Sequence, residues 1–232
     1  MNRFEQANAL NIFADASILK PGDEKYYIGC PGIIAIFPDG TRNFKYQVWY
    51  NSTNNRSEML AIKLAVEFVY FYGLQNKFDT INIFSDSGLC VNSLRSWYKS
   101  WYTNIVGNVL YKPVSSNSKE VVPVANQDVL VYILNLMCNM GKPLHLYHQK
   151  GHTTKTKKGN EISHGHFLRY NNIDLNFEEL MFVNDNNNAV DKATRDILNN
   201  SPWIDVVNEY PRVLLENQGI NIQALEKDLF II

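Results

Sequence analysis

The chain has 232 residues, of which 45% are hydrophobic, 12% aromatic and 19% charged, and its 22 basic and 23 acidic side chains leave a formal net charge of −1. A chain of this length buries one sizeable core, as a single domain or as a domain with an appendage. The balanced charge excludes a strongly basic nucleic-acid coat protein and an acidic disordered tail, and it leaves open nucleic-acid binding through a local patch.

Residues 10–18 (LNIFADASI) are apolar and are followed by Lys20-Pro21-Gly22, which predicts a strand. A second strand is expected over 28–37, interrupted by Pro31-Gly32, and Pro38-Asp39-Gly40 marks a turn. Residues 44–50 alternate as a third strand, so the first three strands read as an antiparallel meander. The loop 51–55 is rich in capping residues, and a long helical pattern runs from about Ser57 to Tyr72 before Gly73. Residues 80–84 (TINIF) form a short buried strand, 87–98 a helix, and 99–125 a mixed stretch. A further helix is predicted over 127–140, ending at Gly141, and a fifth strand over 144–148. A polar insertion then occupies about 150–186, a last helix 186–198, and residues 200–232 a C-terminal extension with an apolar finish. This order is that of an α/β protein with a five-stranded mixed sheet flanked by helices.

Four carboxylates stand where apolar residues belong. Asp15 lies inside the first strand between Ala14 and Ala16, and Asp86 directly follows the fourth strand. Glu58 shares a helical stripe with Ala61, Ile62 and Ala65, and Asp191 lies beside Val190 with Leu198 on the same face. A buried carboxylate is costly unless it is paired or holds a metal. One such acid is explained by a cap or a salt bridge; four at strand ends and nearby helix positions point to a site at the carboxyl edge of the sheet. All-oxygen ligands favour Mg²⁺ or Mn²⁺ over Zn²⁺, and two such ions can activate a water and stabilise a leaving oxygen.

These residues sit in an ordered series that resembles type 1 ribonuclease H. The series runs Asp15-Ala16-Ser17, Thr53-Asn54-Asn55-Arg56-Ser57-Glu58, Ser85-Asp86-Ser87, Trp97 with Trp101, Pro113-Val114, Lys150-Gly151-His152 and Asn188-Ala189-Val190-Asp191-Lys192-Ala193. It spans about residues 9–199, and its strength lies in the whole set in order. The resemblance implies a ribonuclease H-like fold with residues 1–199 as the catalytic domain and 200–232 as an extension. It implies an endonuclease that cleaves the RNA strand of an RNA/DNA hybrid and leaves 3′-hydroxyl and 5′-phosphate ends. Asp15, Glu58, Asp86 and Asp191 would hold two Mg²⁺ ions, with Mn²⁺ as a substitute, and His152 would assist proton transfer or product release. Thr53, Asn54 and Asn55 would contact the hybrid's backbone and minor groove, and Trp97, Lys99 and Trp101 the DNA strand.

The chain departs from the family in three places. The helical protrusion is usually strongly basic, whereas residues 96–112 carry only Lys99 and Lys112. The segment after the first strand is long and not glycine-rich. The gap from His152 to Asp191 exceeds the family's usual spacing, and its Lys155, Lys157 and Lys158 are either substrate contacts or a solvated loop.

All five histidines fall within 145–166, and the pairs His148/His152 and His164/His166 have zinc-like spacing with no cysteine nearby. A non-catalytic module of the same fold, binding nucleic acid or protein, is the alternative; four retained acids argue for catalysis. A 3′–5′ exonuclease would show D-x-E on the first strand, where this chain has Ser17. Cys30, Cys90 and Cys138 form no C-x-x-C pair, which suits a reducing compartment. No apolar run approaches the roughly 20 residues of a membrane helix, and the N-terminus lacks signal-peptide design. A cytoplasmic monomer without membrane attachment is expected.

Overall fold

The computed structural model describes residues 2–20, 27–50, 52–101, 105–106, 109–115, 118–153, 156–200 and 229–231. Lys155 and nearly all of the C-terminal extension lie outside the described residues.

Strands β1 (Ala9–Leu19), β2 (Ile28–Ile36) and β3 (Arg42–Tyr46) form the expected antiparallel meander. On the other side of β1 lies β5 (Thr80–Ser85), parallel to it, and beyond that β9 (Leu144–His148), parallel to β5. These are the five expected strands. The sheet is completed by two short pieces: β4 (Trp49–Tyr50) beside β2, and β10 (Phe230–Ile231) parallel to β9 at the far edge.

The third expected strand, 44–50, is divided into β3 and β4. The register is unbroken, since Gly32 faces Tyr46 and Gly29 faces Trp49. The gap falls where Pro31 lies, and a proline has no N–H to give to the ladder. The bond that survives there runs from Gln47 N–H to the Pro31 carbonyl, at 3.0 Å.

Helices α1 (Asn54–Phe71) and α4 (Gln127–Met140) lie together against one core, built from Leu10, Ile12, Leu60, Val66, Ile83, Ile133 and Leu146 among others. The other face carries Phe13, Ile34, Phe84 and Tyr147, covered by Phe4 and by α5 (Lys157–Asn171) and α6 (Phe177–Asn200). Alternation along β1 explains both faces: Leu10, Ile12 and Ala14 go one way and Phe13 the other. Between β5 and α4 come α2 (Gly88–Asn92), a π-helical turn over 93–97, α3 (Tyr98–Trp101) and a small meander of β6 (Ile105–Val106), β7 (Val109–Pro113) and β8 (Val121–Pro123).

The polar insertion, to which no element is assigned from sequence, is helical over Lys157–Asn171. α5 buries only Ser163, Phe167 and Asn171, one residue per turn, so its composition conceals its helicity. α6 begins at Phe177, nine positions before the expected 186. Its start is a reciprocal cap: Glu179 N–H donates to Asn176 Oδ1 at 2.9 Å, and Asn176 N–H donates to Glu179 Oε2 at 3.1 Å. Among the described residues, no helix is long and apolar enough to cross a membrane.

Candidate active site

Register places the first two carboxylates. Phe13 of β1 pairs with Phe84 of parallel β5, so Asp15, still within β1, and Asp86, just past the end of β5, lie side by side, each two residues further on. Glu58 comes from the first turns of α1. That turn is anchored by Arg56, whose guanidinium donates to both oxygens of Asp128 at 3.0 and 2.6 Å and to Asn126 Oδ1 at 3.4 Å. Thr53 caps the helix by accepting from Arg56 N–H at 3.2 Å.

One carboxylate oxygen each from Asp15, Glu58 and Asp86 lies within 4.8 Å of the others. Asp15 and Glu58 are 4% and 8% exposed, so these are charges removed from water. Burial is the main cause that pushes both carboxyls well above their ordinary values; the charge of Asp86 adds to it for Asp15, and those of Asp15 and Asp86 for Glu58. Asp86 is raised as well, by burial first, against the lowering influence of His152. Glu58 Oε2 is buried with no hydrogen-bond partner. Such a group costs free energy that a bound cation recovers. A buried all-oxygen set with one orphaned oxygen fits a divalent ion of the Mg²⁺ or Mn²⁺ type. Among the described residues this is the cluster of three or more ligating side chains.

Asp191 stands beside this cluster, on α6. Both of its oxygens accept from Arg195 Nη2 at 2.6 Å, and His152 Nδ1 lies 3.6 Å from Oδ2. It repels the charge on Asp15, Glu58 and Asp86, so the four acids share one field. His152 is 78% exposed in its side chain and has a left-handed backbone, φ 50°. A cleft of about 410 Å³ opens here, lined by Ser17, Asn54, His152, Asp191 and Arg195.

The remaining expected residues divide between the two sides of the α1 start: Asn54 borders the cleft of His152 and Asp191, and Asn55 the cleft of Trp97 and Trp101. Thr53, Asn54 and Asn55 are exposed around the start of α1. Trp97 is 42% exposed, whereas Trp101 is 7% exposed and packs in the core, its ring centroid 6.2 Å from that of Trp97. The two do not form a common exposed ridge: Trp101 supports Trp97 from beneath. Lys99 is exposed between them. Both tryptophans border a second cleft, of about 640 Å³, with Asn55, Lys112 and Asn126.

The zinc-like histidine spacings do not become ligand pairs. His164 bonds Asp174 at 2.7 Å, and His148 meets His166 instead, ring centroids 4.6 Å apart. Burial, with His148, Lys150 and Arg169 nearby, lowers His166 to about 4. Cationic neighbours of that kind disfavour a metal.

Sequence reasoning passed over Arg56, Arg195 and Gly151. Arg195 carried a readable signal, being four residues after Asp191 on one helix. Gly151 carried none: an added Cβ there would collide with the Asp86 carboxylate, which only the fold reveals.

The family model for RNase H matches residues 7–164. The chain belongs to the RNase H family, whose members are divalent-metal-dependent ribonucleases. The matched stretch contains Asp15, Glu58, Asp86 and His152. Among solved structures, LC9-RNase H1, a type 1 RNase H with the type 2 active-site motif, is 16% identical over 82% of this chain and 85% of its own, with a TM-score of 0.46. A foamy viral protease-reverse transcriptase in complex with dsDNA is 16% identical over 70% of this chain and 93% of its own, with a TM-score of 0.48. LC11-RNase H1 in complex with RNA/DNA hybrid is 15% identical over 66% of this chain and 91% of its own, with a TM-score of 0.41. No curated protein matches the chain in sequence.

Proposed function

We propose that this chain is an endonuclease that hydrolyses the RNA strand of RNA/DNA hybrids by two-metal-ion catalysis, leaving 3′-hydroxyl and 5′-phosphate ends. The observation that carries this reading is the convergence of Asp15, Glu58 and Asp86 within 4.8 Å at the carboxyl edge of the sheet. Asp15, Glu58, Asp86 and Asp191 would hold two Mg²⁺ ions, for which Mn²⁺ would substitute, and the ions would supply an activated water and stabilise the leaving oxygen.

The chain's own residues do the rest. Asp15, Glu58 and Asp86 hold the metals, with Asp191 at the rim as the fourth ligand. Family membership, over a matched stretch that holds Asp15, Glu58 and Asp86, and the orphaned Glu58 Oε2 support the first three; the position of Asp191 beside them supports the fourth. His152 projects from the rim beside Asp191 and moves a proton at the leaving group. Thr53, Asn54 and Asn55 face a hybrid's wide minor groove, where 2′-hydroxyls mark the RNA strand. Trp97 and Lys99 take the DNA strand, with Trp101 as the support beneath. Contacts to backbone and sugar give weak sequence preference. The catalytic unit is residues 1–199, followed by the extension 200–232, and it acts as a cytoplasmic monomer.

The test is a gel assay with labelled RNA/DNA hybrid, with and without Mg²⁺, followed by analysis of the product ends. Metal-dependent internal cuts in the RNA strand alone, with 5′-phosphate ends, are expected. Hybrid binding without cleavage in Mg²⁺ or Mn²⁺ would make the chain a binding module.

A further inference from the structure

The β5/β9 ladder ends with Ser85 opposite His148, and its last bond runs from Gln149 N–H to the Ser85 carbonyl at 3.0 Å. Asp86 is the next residue, so its own carbonyl has passed beyond the ladder. The His148 imidazole reaches that carbonyl: Nε2 lies 3.1 Å from Asp86 O. A carbonyl only accepts, so Nε2 carries a proton. Nδ1 is buried without a partner. A ring buried to 6% exposure with one nitrogen unsatisfied is not there for packing alone, because an apolar ring would avoid that cost.

His148 is itself held. Asn171, the last residue of α5, accepts from His148 N–H at 2.9 Å and donates to the His148 carbonyl at 2.7 Å. Its amide thus pairs with the open edge of β9 as a neighbouring strand would. Arg95 donates to Asn171 Oδ1 at 3.2 Å and to the Tyr170 carbonyl at 3.3 Å, tying the end of α5 to the turn after α2. Gly88 presses on the ring from the other side, where an added Cβ would lie 2.9 Å from His148 Cε1.

We infer that His148 is a positioning residue for Asp86, and that α5 serves the active site by locking it: Arg95 holds Asn171, Asn171 holds His148, and His148 holds the Asp86 carbonyl. Fixing that carbonyl fixes the peptide that follows Asp86 and hence the direction in which its carboxylate points. The polar segment between the fifth strand and the last helix therefore acts through a metal ligand. This rests on the proposed metal-holding role of Asp86. Partners one step removed from the metal are worth about 10–100-fold in metal affinity or activity.

Mn²⁺ titration calorimetry on the full chain tests the inference, with His148→Ala, His148→Gln, Asn171→Ala and Asp86→Asn beside wild type. Circular dichroism and melting monitor the fold. Gln places an N–H donor near Nε2, so it should restore what Ala removes. We expect Mn²⁺ dissociation constants raised about 10–100-fold for His148→Ala and more modestly for Asn171→Ala, with His148→Gln near wild type. Turnover lost by His148→Ala should return at high metal concentration while KM for the hybrid stays put. If His148→Ala does not fold, His148→Gln and Asn171→Ala carry the comparison. Unchanged Mn²⁺ affinity in folded His148→Ala and Asn171→Ala overturns the inference and leaves the nuclease reading intact. Equal weakening in the Ala and Gln variants overturns the donor role. Wild type and Asp86→Asn titrating alike would overturn the metal reading, and the inference with it.

Discussion

At the scale of single residues, the site is a collection of charges that water would separate and the fold forces together. Asp15 and Glu58 have raised carboxyl pKa values, caused first by burial and then by their neighbours. The folded state therefore holds protons more tightly than the unfolded one. That contribution to stability is present in full below the ordinary carboxylate range and is lost as pH rises through the folded values. Without metal at neutral pH these acids weaken the fold, so Asp15→Asn in a chelator should raise the melting temperature, by about 2–4 °C for each kcal/mol of relieved repulsion. The same variant, and Asp86→Asn, should lose hydrolysis. A chelator melt in which Asp15→Asn is less stable than wild type would contradict the account. His152 differs, being mostly exposed and beside the cluster. His152→Ala should slow turnover about 10²-fold or more without abolishing it, measured as kcat across pH 6–9.

At the scale of elements, each side chain of the candidate site depends on how its strand or helix is pinned. The start of α1, with Glu58 on it, is tied to α4 by the Arg56–Asp128 pair, in which both side chains are 11% exposed. Removing one partner of such a pair leaves a buried charge and costs about 3–5 kcal/mol. Arg56→Ala should therefore melt well below wild type, and adding Asp128→Ala should cost less than the sum of the singles. Additive effects would mean that the two residues act separately. The helix α5 also brings Lys157 and Lys158, both exposed in its first turn, a few residues from His152. Changing both to Ala should flatten the salt dependence of hybrid binding, by about 0.7–0.9 in slope per lost phosphate contact. Equal slopes for wild type and variant would leave the grip to Lys99 and the protrusion.

At the scale of the whole molecule, the sheet's far edge is closed by the chain's own end. Phe230 and Ile231 pair with Leu144 and His145, and Leu229 and Phe230 are each 5% exposed in the core on the α1/α4 side. Full burial of each such side chain is worth about 1.5–3 kcal/mol. Deleting residues 229–232 should lower stability by about 3 kcal/mol or more in urea melts. A deletion that melts like wild type would show that the segment does not dock.

Five strands, the long first helix and the acids that converge as Asp15, Glu58 and Asp86 were legible because each rests on a local pattern. Apolar runs mark strands, a 3.6-residue stripe marks α1, and an acid inside such a pattern is conspicuous. The order of the motifs also made the family legible, and the stretch that matches it holds Asp15, Glu58, Asp86 and His152. Other features depended on contacts distant in sequence. Pro31 divides the third strand only because Gln47 faces it across the ladder. The helix α5 is polar almost throughout, so its pattern is that of a loop until Phe167 and Asn171 find β9 and the core behind it. Trp97 and Trp101 have the same spacing as two exposed stacking platforms, and only packing sends Trp101 inward. The amino-acid sequence by itself determined which residue types are available and at what local period. Which side chains converge, which are desolvated and which brace them was decided by tertiary structure, because burial and charge repulsion depend on distances through space and not along the chain.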